Sequence, residues 1–263
     1  MDQAVTWSRE GNVARITLNR PSQYNVINLQ MSTDFHQAIT ECSRDDEVRA
    51  VVLTGTGNAF SGGGDLKFFA AELEANRIGA SFEKMFVVWH GAIIAMREMP
   101  KPVVAALNGV VAGGGLGLAL ACDFRIASPK ITFHTAFLAI GASPDSSSSF
   151  FLPRIVGMGK ATELFIRNKP VTAEEALNLG MVNAVVPSEK VLDEATALAI
   201  ELAQGPTAAY GRTKQLLNKS LSSSLVDHLH DEARLITISA LQPDFAEGIG
   251  AFIAKRKPTF TGK

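Results

Sequence analysis

The stretch Pro102-Val103-Val104-Ala105-Ala106-Leu107-Asn108-Gly109-Val110-Val111-Ala112-Gly113-Gly114-Gly115-Leu116-Gly117-Leu118-Ala119-Leu120-Ala121-Cys122 carries no charged side chain and is long enough to cross a bilayer. Its glycines, with Asn108, favour a different reading. Val103 to Leu107 is a short apolar run of the kind found in strands buried on both faces. Gly113-Gly114-Gly115 reads as a turn, and Leu116 to Ala121 as the start of a buried helix. Strand, turn and helix without a polar face place the segment at the centre of a large α/β core rather than in a membrane.

The flanking chain supplies the layers that such a core needs. On the N-terminal side, Ala4 to Arg9 and Val13 to Leu18 alternate about Glu10-Gly11-Asn12, a hairpin pattern that Pro21 ends. Asn28 is placed to cap a helix carrying Met31, Phe35, Ala38, Ile39 and Cys42 at helical spacing. Ala50 to Leu53, bounded by Gly55 and Gly57, reads as a buried strand. A helical stretch begins near Asp65, and Ser81 to Met99 forms an amphipathic helix with Phe82, Met85, Trp89, Ile93 and Met96 on one face. Beyond the central stretch, strands are expected at Asp123 to Ala127 and Ile131 to His134, after which the chain turns mostly helical. Thr172-Ala173-Glu174-Glu175 is a capping box before a helix that Gly180 stops, and Asp244-Phe245-Ala246-Glu247 has the analogous spacing. Further helices are expected from Pro206 and over Leu225 to Leu241. The strands are read as coming singly between helices, without the strict alternation of a doubly wound sheet. No linker interrupts the chain. The reading is one α/β core over residues 1–200, followed by a helical appendage over 201–263.

Composition narrows the function. Of 263 residues, 46% are hydrophobic and 19% charged, which excludes global disorder. Twenty-five basic against 26 acidic residues leave a net charge of −1, unlike a general nucleic-acid or anionic-membrane binder. Two cysteines, Cys42 and Cys122, exclude a disulfide scaffold and a Cys-rich zinc module. His36, His90, His134, His228 and His230 show no ligand spacing, so no metal is expected. The Walker, dinucleotide, G-x-S-x-G and H-E-x-x-H patterns are missing, and no redox cofactor is expected. Met1 to Asn12 is polar and charged, with no secretory pattern, so a cytoplasmic location is the default expectation.

Two glycine turns remain, Ser61-Gly62-Gly63-Gly64-Asp65 and Gly113-Gly114-Gly115, each after a strand and each opening towards a helix. A helix start presents free N–H groups at a positive dipole end, and glycine lets a ligand approach them. Two such turns side by side would clamp one carbonyl oxygen as an oxyanion hole. Tight helix-on-strand packing explains the same glycines.

Leu18-Asn19-Arg20-Pro21 with Asn25, Ala59-Phe60-Ser61-Gly62-Gly63-Gly64-Asp65-Leu66, Pro102 to Gly115, and Ala121-Cys122-Asp123 together resemble the crotonase superfamily. The resemblance continues through Leu152-Pro153-Arg154, Gly180-Met181-Val182-Asn183 and Phe252-Ile253-Ala254-Lys255-Arg256, and so covers essentially the whole chain. It implies an α/β fold, a spiral of ββα repeats holding an acyl-CoA site, with a helical C-terminal region that assembles a homotrimer or a dimer of trimers. It also implies an acyl-CoA thioester substrate whose oxygen is held by the Gly64 and Gly114 N–H groups. Coenzyme A, as part of that substrate, would lie along Asn25, Ser61, Gly62 and Asp65. Lys255, Arg256 and Lys257 are either a phosphate contact or a solvated basic end.

The resemblance also separates branches. Where hydratases of the family carry two glutamates, this chain has Gly117 and Phe137, so hydration by the two-glutamate route is not expected. Asp145 matches the catalytic carboxylate of the Δ3,Δ2-enoyl-CoA isomerases and the related ring-modified phenylacetyl-CoA isomerases; a cap of a helix starting at Ser146 is the plainer reading. Phe82, Trp89 and Phe137 with His90 resemble the pocket and base of 4-chlorobenzoyl-CoA dehalogenases, although Gly64 and Phe137 replace two aromatic residues of that branch. Phe82 and Trp89 equally suit the buried face of a helix. The expectation is therefore an isomerase acting through Asp145, with a dehalogenase-like hydrolase using Asp145 and His90, or an inactive CoA-binding scaffold, as alternatives.

Overall fold

The computed structural model describes residues 3–263; Met1 and Asp2, the first residues of the polar N-terminal stretch, lie outside them. β1 (Val5–Glu10) and β2 (Val13–Leu18) form the expected hairpin, with Glu10 opposite Val13. Asn28 caps α1 (Leu29–Arg44) by accepting from the Met31 N–H. β3 (Ala50–Gly55) and β4 (Ala59–Ser61) follow, then α2 (Leu66–Glu74) and α3 (Ile78–Glu98). β5 (Val103–Leu107), β6 (Val110–Ala112) and α4 (Gly114–Ala121) make the next turn of the pattern. β7 (Phe124–Ala127), β8 (Thr132–His134), α5 (Ser148–Val156) and α6 (Met158–Arg167) make another. β9 (Val171–Thr172), α7 (Ala173–Asn178), β10 (Ala184–Val185) and α8 (Val191–Ala203) complete the core. The chain ends in α9 (Thr207–Lys219), α10 (Leu225–Ala240) and α11 (Pro243–Ile253).

The strands do not come singly, as the sequence led us to expect. After the β1–β2 hairpin, β3/β4, β5/β6 and β7/β8 come as consecutive pairs, one member in each of two sheets, a six-stranded sheet of order β1-β2-β3-β5-β7-β10 and a four-stranded sheet of order β4-β6-β8-β9, with β9 and β10 divided between the sheets on either side of α7. Apart from the β1–β2 hairpin the larger sheet is parallel. β4 and β6 are three residues long and abut glycine turns, so no alternation is long enough to mark them. The chain thus winds as a spiral of ββα units. Alternation sorts the larger sheet's two faces: Val51, Leu53, Ala105 and Leu107 join the cluster under α1, α3 and α4, whereas Ala50, Val52, Val104 and Ala106 pack on Val191, Ala195, Ala199 and Ala203 of α8. Among the described residues α3 alone is long and apolar enough to cross a membrane; its Met85, Trp89, Ile93 and Met96 are buried in the core, with Trp89 against Phe35.

Polar groups fasten the C-terminal helices to this core. Asp123 accepts from Arg97 (2.8 Å), from Lys214 of α9 (2.9 Å) and from the Val103 N–H (2.9 Å). Lys101 donates to the carbonyls of Cys42, Ser43 and Asp45 at the end of α1, where a cation complements the helix dipole. Thr172 and Glu175 form the expected capping box. Asp244 does not form one: α11 starts at Pro243, and the Asp244 carboxylate instead accepts from Thr261 and Gly262, docking the following segment. Within the basic end, Arg256 is paired with Glu247. Both cysteines are free and buried, and burial pushes each thiol up to about 12.

Candidate active site

The two glycine turns meet. A Cβ at Gly63 would stand 2.8 Å from the Ala112 carbonyl oxygen and 3.3 Å from the Gly113 Cα. Both residues also have positive φ, +88° and +50°, which glycine alone adopts without strain. Ile27 donates to the Gly63 carbonyl (2.7 Å) and accepts from the Asp65 N–H (2.9 Å), a parallel bridge that leaves the N–H of the bracketed Gly64 unspent. Gly114 opens α4, so its N–H is one of the donors that a helix start leaves without an internal partner. Gly113, one residue earlier, spends its own on His134. Among the described residues, the site therefore has two free donors on adjoining turns.

Asp145 lies beside them. A Cβ at Gly114 would sit 3.4 Å from Asp145 Oδ1, 2.7 Å from Ser146 Oγ and 3.1 Å from Ile27 Cδ1. The Asp145 side chain does not cap a helix, because α5 begins only at Ser148 with Ser147 as its cap residue. Its Oδ1 accepts from the Ser146 hydroxyl (2.7 Å), which accepts in turn from Trp89 Nε1 (2.8 Å). Burial pushes the Asp145 carboxyl above its ordinary value, while the Ser146 bond and the nearby His90 pull it down. The His90 ring stacks on Phe86 at 5.0 Å, and its Nε2 is buried without a hydrogen-bond partner among the described protein groups. His90 also borders a cleft of about 430 Å³ between α3, α5 and α9.

Other predicted residues fall differently. Asn25 is 0% exposed; it accepts from the Arg20 N–H and donates to Thr56 and Ala59, so its side chain is turned away from any ligand. Ser61 donates to Asn25 and accepts from the Gly63 N–H. Asp65 caps α2 and takes Arg20 at 3.1 Å. These three side chains hold the turn, each polar atom bonded inside the fold. Gly62 is half-buried and its N–H is bonded to Tyr24. Phe82 joins an aromatic row with Phe69 and Phe86. Trp89 lies beneath the site, whereas Phe137 is buried on a 3-10 turn and makes no ring pair among the described residues.

The residue missed by sequence is Ser146. The sequence reading takes it only as the start of a helix after Asp145. Ser146 and Ser147 both have positive φ, +51° and +67°, an uncommon conformation for serine that clusters at functional sites. Gly117 belongs with it: a Cβ there would stand 2.2 Å from the Ser146 carbonyl oxygen. The model of a family described as enoyl-CoA hydratase/isomerase matches residues 8–263.

The chain belongs to the enoyl-CoA hydratase/isomerase family.

Members of this family similar to the chain differ in activity. The 1,2-epoxyphenylacetyl-CoA isomerase of Escherichia coli (strain K12) is 36% identical over 97% of each chain. A 4-chlorobenzoyl coenzyme A dehalogenase of an Arthrobacter species is 34% identical over 97% of this chain and 92% of that one. The crystal structure of an enoyl-CoA hydratase from Polaromonas sp. JS666 superposes with a TM-score of 0.91 at 32% identity, covering 97% of this chain and 99% of that chain. The chain is thus an acyl-CoA-processing enzyme with the α/β crotonase fold. Its site combines the half-buried Asp145 carboxylate with two N–H donors free among the described residues.

Proposed function

We propose that this enzyme moves the double bond of an enoyl-CoA from the Δ3 to the Δ2 position, with Asp145 carrying the proton. The observation that supports this reading is the single half-buried carboxylate within van der Waals reach of a Gly114 Cβ, beside the unspent N–H groups. Gly64 and Gly114 donate to the thioester oxygen, which makes the C2 proton acidic and holds the charge that develops on removing it. Asp145 takes that proton, electron density spreads over the enolate to C4, and the same proton returns at C4. The double bond then lies between C2 and C3, and the carboxylate is regenerated. Burial makes the carboxyl a stronger base than an exposed aspartate. The space at Gly117 is taken by Ser146, so no second carboxylate stands there to position a water.

Replacing Asp145 by Asn should abolish isomerisation of a 3-enoyl-CoA and leave acyl-CoA binding largely intact, since both N–H donors remain. Full activity in that variant would sink the proposal. One observation favours a second reading, a dehalogenase-like hydrolase: His90 carries an unpartnered buried nitrogen beside Asp145. In that chemistry the carboxylate attacks the ring carbon bearing the halogen of a halobenzoyl-CoA, halide leaves, and water then attacks the carboxyl carbon of the aryl ester, releasing hydroxybenzoyl-CoA and leaving solvent oxygen in Asp145. A single turnover in ¹⁸O-water separates the two: label in the Asp145 peptide would establish the hydrolase, and its absence with turnover the isomerase. The proposal includes a homotrimer or dimer of trimers built through residues 201–263 and a cytoplasmic location. It requires no metal, redox cofactor, nucleic acid or membrane.

A further inference from the structure

Helix α2 has no fully buried residue, yet one of its side chains reaches the site. The Phe69 ring lies on Gly64 so closely that a Cβ at residue 64 would be 2.5 Å from Phe69 Cε2. Phe69 meets Phe82 edge-on at 4.7 Å, and Phe82 meets Phe86 edge-on at 5.3 Å. Phe86 stacks on His90, which lies in the vicinity of Asp145. A row of packed rings, Phe69, Phe82, Phe86 and His90, therefore leads from Gly64 along α3 towards the neighbourhood of Asp145.

The ring and a side chain at residue 64 exclude one another. Gly64 is not held in a positive-φ conformation, so its lack of a side chain answers to Phe69 and not to the backbone. We infer that Phe69 is a specificity-determining residue, delivered by α2 to the place beside the oxyanion donors, and that it selects acyl-CoA thioesters carrying a planar aromatic ring over straight-chain ones. A straight chain gains only burial against this wall, whereas a planar ring also gains the oriented ring–ring term. The inference rests on the acyl-CoA reading of the site, and its test keeps the two apart.

Isothermal titration with phenylacetyl-CoA and hexanoyl-CoA would be run on the wild type, Phe69→Leu, Phe69→Ala and the double variant Gly64→Phe/Phe69→Ala, with circular dichroism as a check of folding. Phe69→Leu keeps an apolar side chain on an exposed helix and decides the matter if Phe69→Ala unfolds. The wild type should prefer phenylacetyl-CoA; Phe69→Leu should weaken that ligand about tenfold and hexanoyl-CoA by no more than about twofold. The double variant, with the ring supplied from residue 64, should regain the preference. Equal losses for both ligands, or no preference in the wild type, would overturn the selecting role and leave the acyl-CoA reading standing. Binding of neither ligand to the wild type would overturn both.

Discussion

Trp89 Nε1 can only donate, so the Ser146 hydroxyl that faces it must accept, and its one proton is left to point at Asp145. Replacing Ser146 by Ala removes that donor. The Asp145 carboxyl should then rise further, and the acid limb of the kcat/KM profile, read with a 3-enoyl-CoA, should move to higher pH. The orphaned Trp89 N–H should cost about 1–3 kcal/mol in a denaturation curve. Asp145 itself acts on stability with the opposite sign to most carboxylates. Its pKa in the fold lies above the ordinary 3.8, so the folded state holds the proton to higher pH than the unfolded chain does. Its contribution therefore falls as pH rises from the ordinary carboxylate value through the raised one, and is level beyond. The unfolding free energy of Asp145→Asn minus that of the wild type should grow across this window and stay flat above it; a difference that shrinks there would contradict the burial described. Asp145 and the glycine pair were legible because residue type and motif announce them. Ser146 was not, since nothing in a serine run reveals which hydroxyl will be turned inward by two left-handed backbone residues.

Elements here are spaced by what they lack. α4 and the loop before α5 approach until Gly117 touches the Ser146 backbone, 2.2 Å from where a Cβ would be. Gly117→Ala should therefore displace the Asp145 loop, lowering kcat and costing about 1–3 kcal/mol, whereas Gly159→Ala, with nothing near its added methyl, should be silent in both assays. Gly117→Glu should not yield a hydratase for the same reason. α3, α9 and β7 are joined instead by charge: Asp123 is shared by Arg97 and Lys214, and the Lys214 ammonium is held below its usual range by burial. Asp123→Ala leaves two cations facing one another and should cost about 3–5 kcal/mol by denaturant titration. The long elements were visible in sequence because α1, α3, β3 and β5 each have a period or a run to read. β4, β6, β9 and β10, two or three residues each, exist only because neighbouring strands offer them partners, and partners at long range leave no local trace.

At the scale of the molecule, apolar surface remains uncovered on α10 and α11: Leu241 is 79% exposed and Phe252 84%, with Leu225, Leu229, Ile236 and Ile253 also exposed. A monomer rarely leaves so many large apolar side chains of two neighbouring helices in water. We expect sedimentation velocity at micromolar concentration to report a trimer or hexamer, and Leu241→Glu/Phe252→Glu to shift it towards monomer. A wild-type monomer would defeat the proposed assembly. The spiral as a whole was readable through family resemblance rather than through periodicity, which had set single strands between helices where the chain places pairs.

The bond from Trp89 to Ser146 also makes the enzyme optically self-reporting. The chain has two tryptophans. Trp7 lies half-buried on the hairpin with its indole on Glu41, while Trp89 is sealed in the core one hydroxyl away from Asp145. Their emission should differ in colour, the first red-shifted by water and the second blue. With Trp7 changed to Phe, the remaining fluorescence becomes a direct gauge of the hydroxyl's orientation. A proton or a ligand arriving at the carboxylate can then be timed in a stopped-flow instrument, without any label on the substrate.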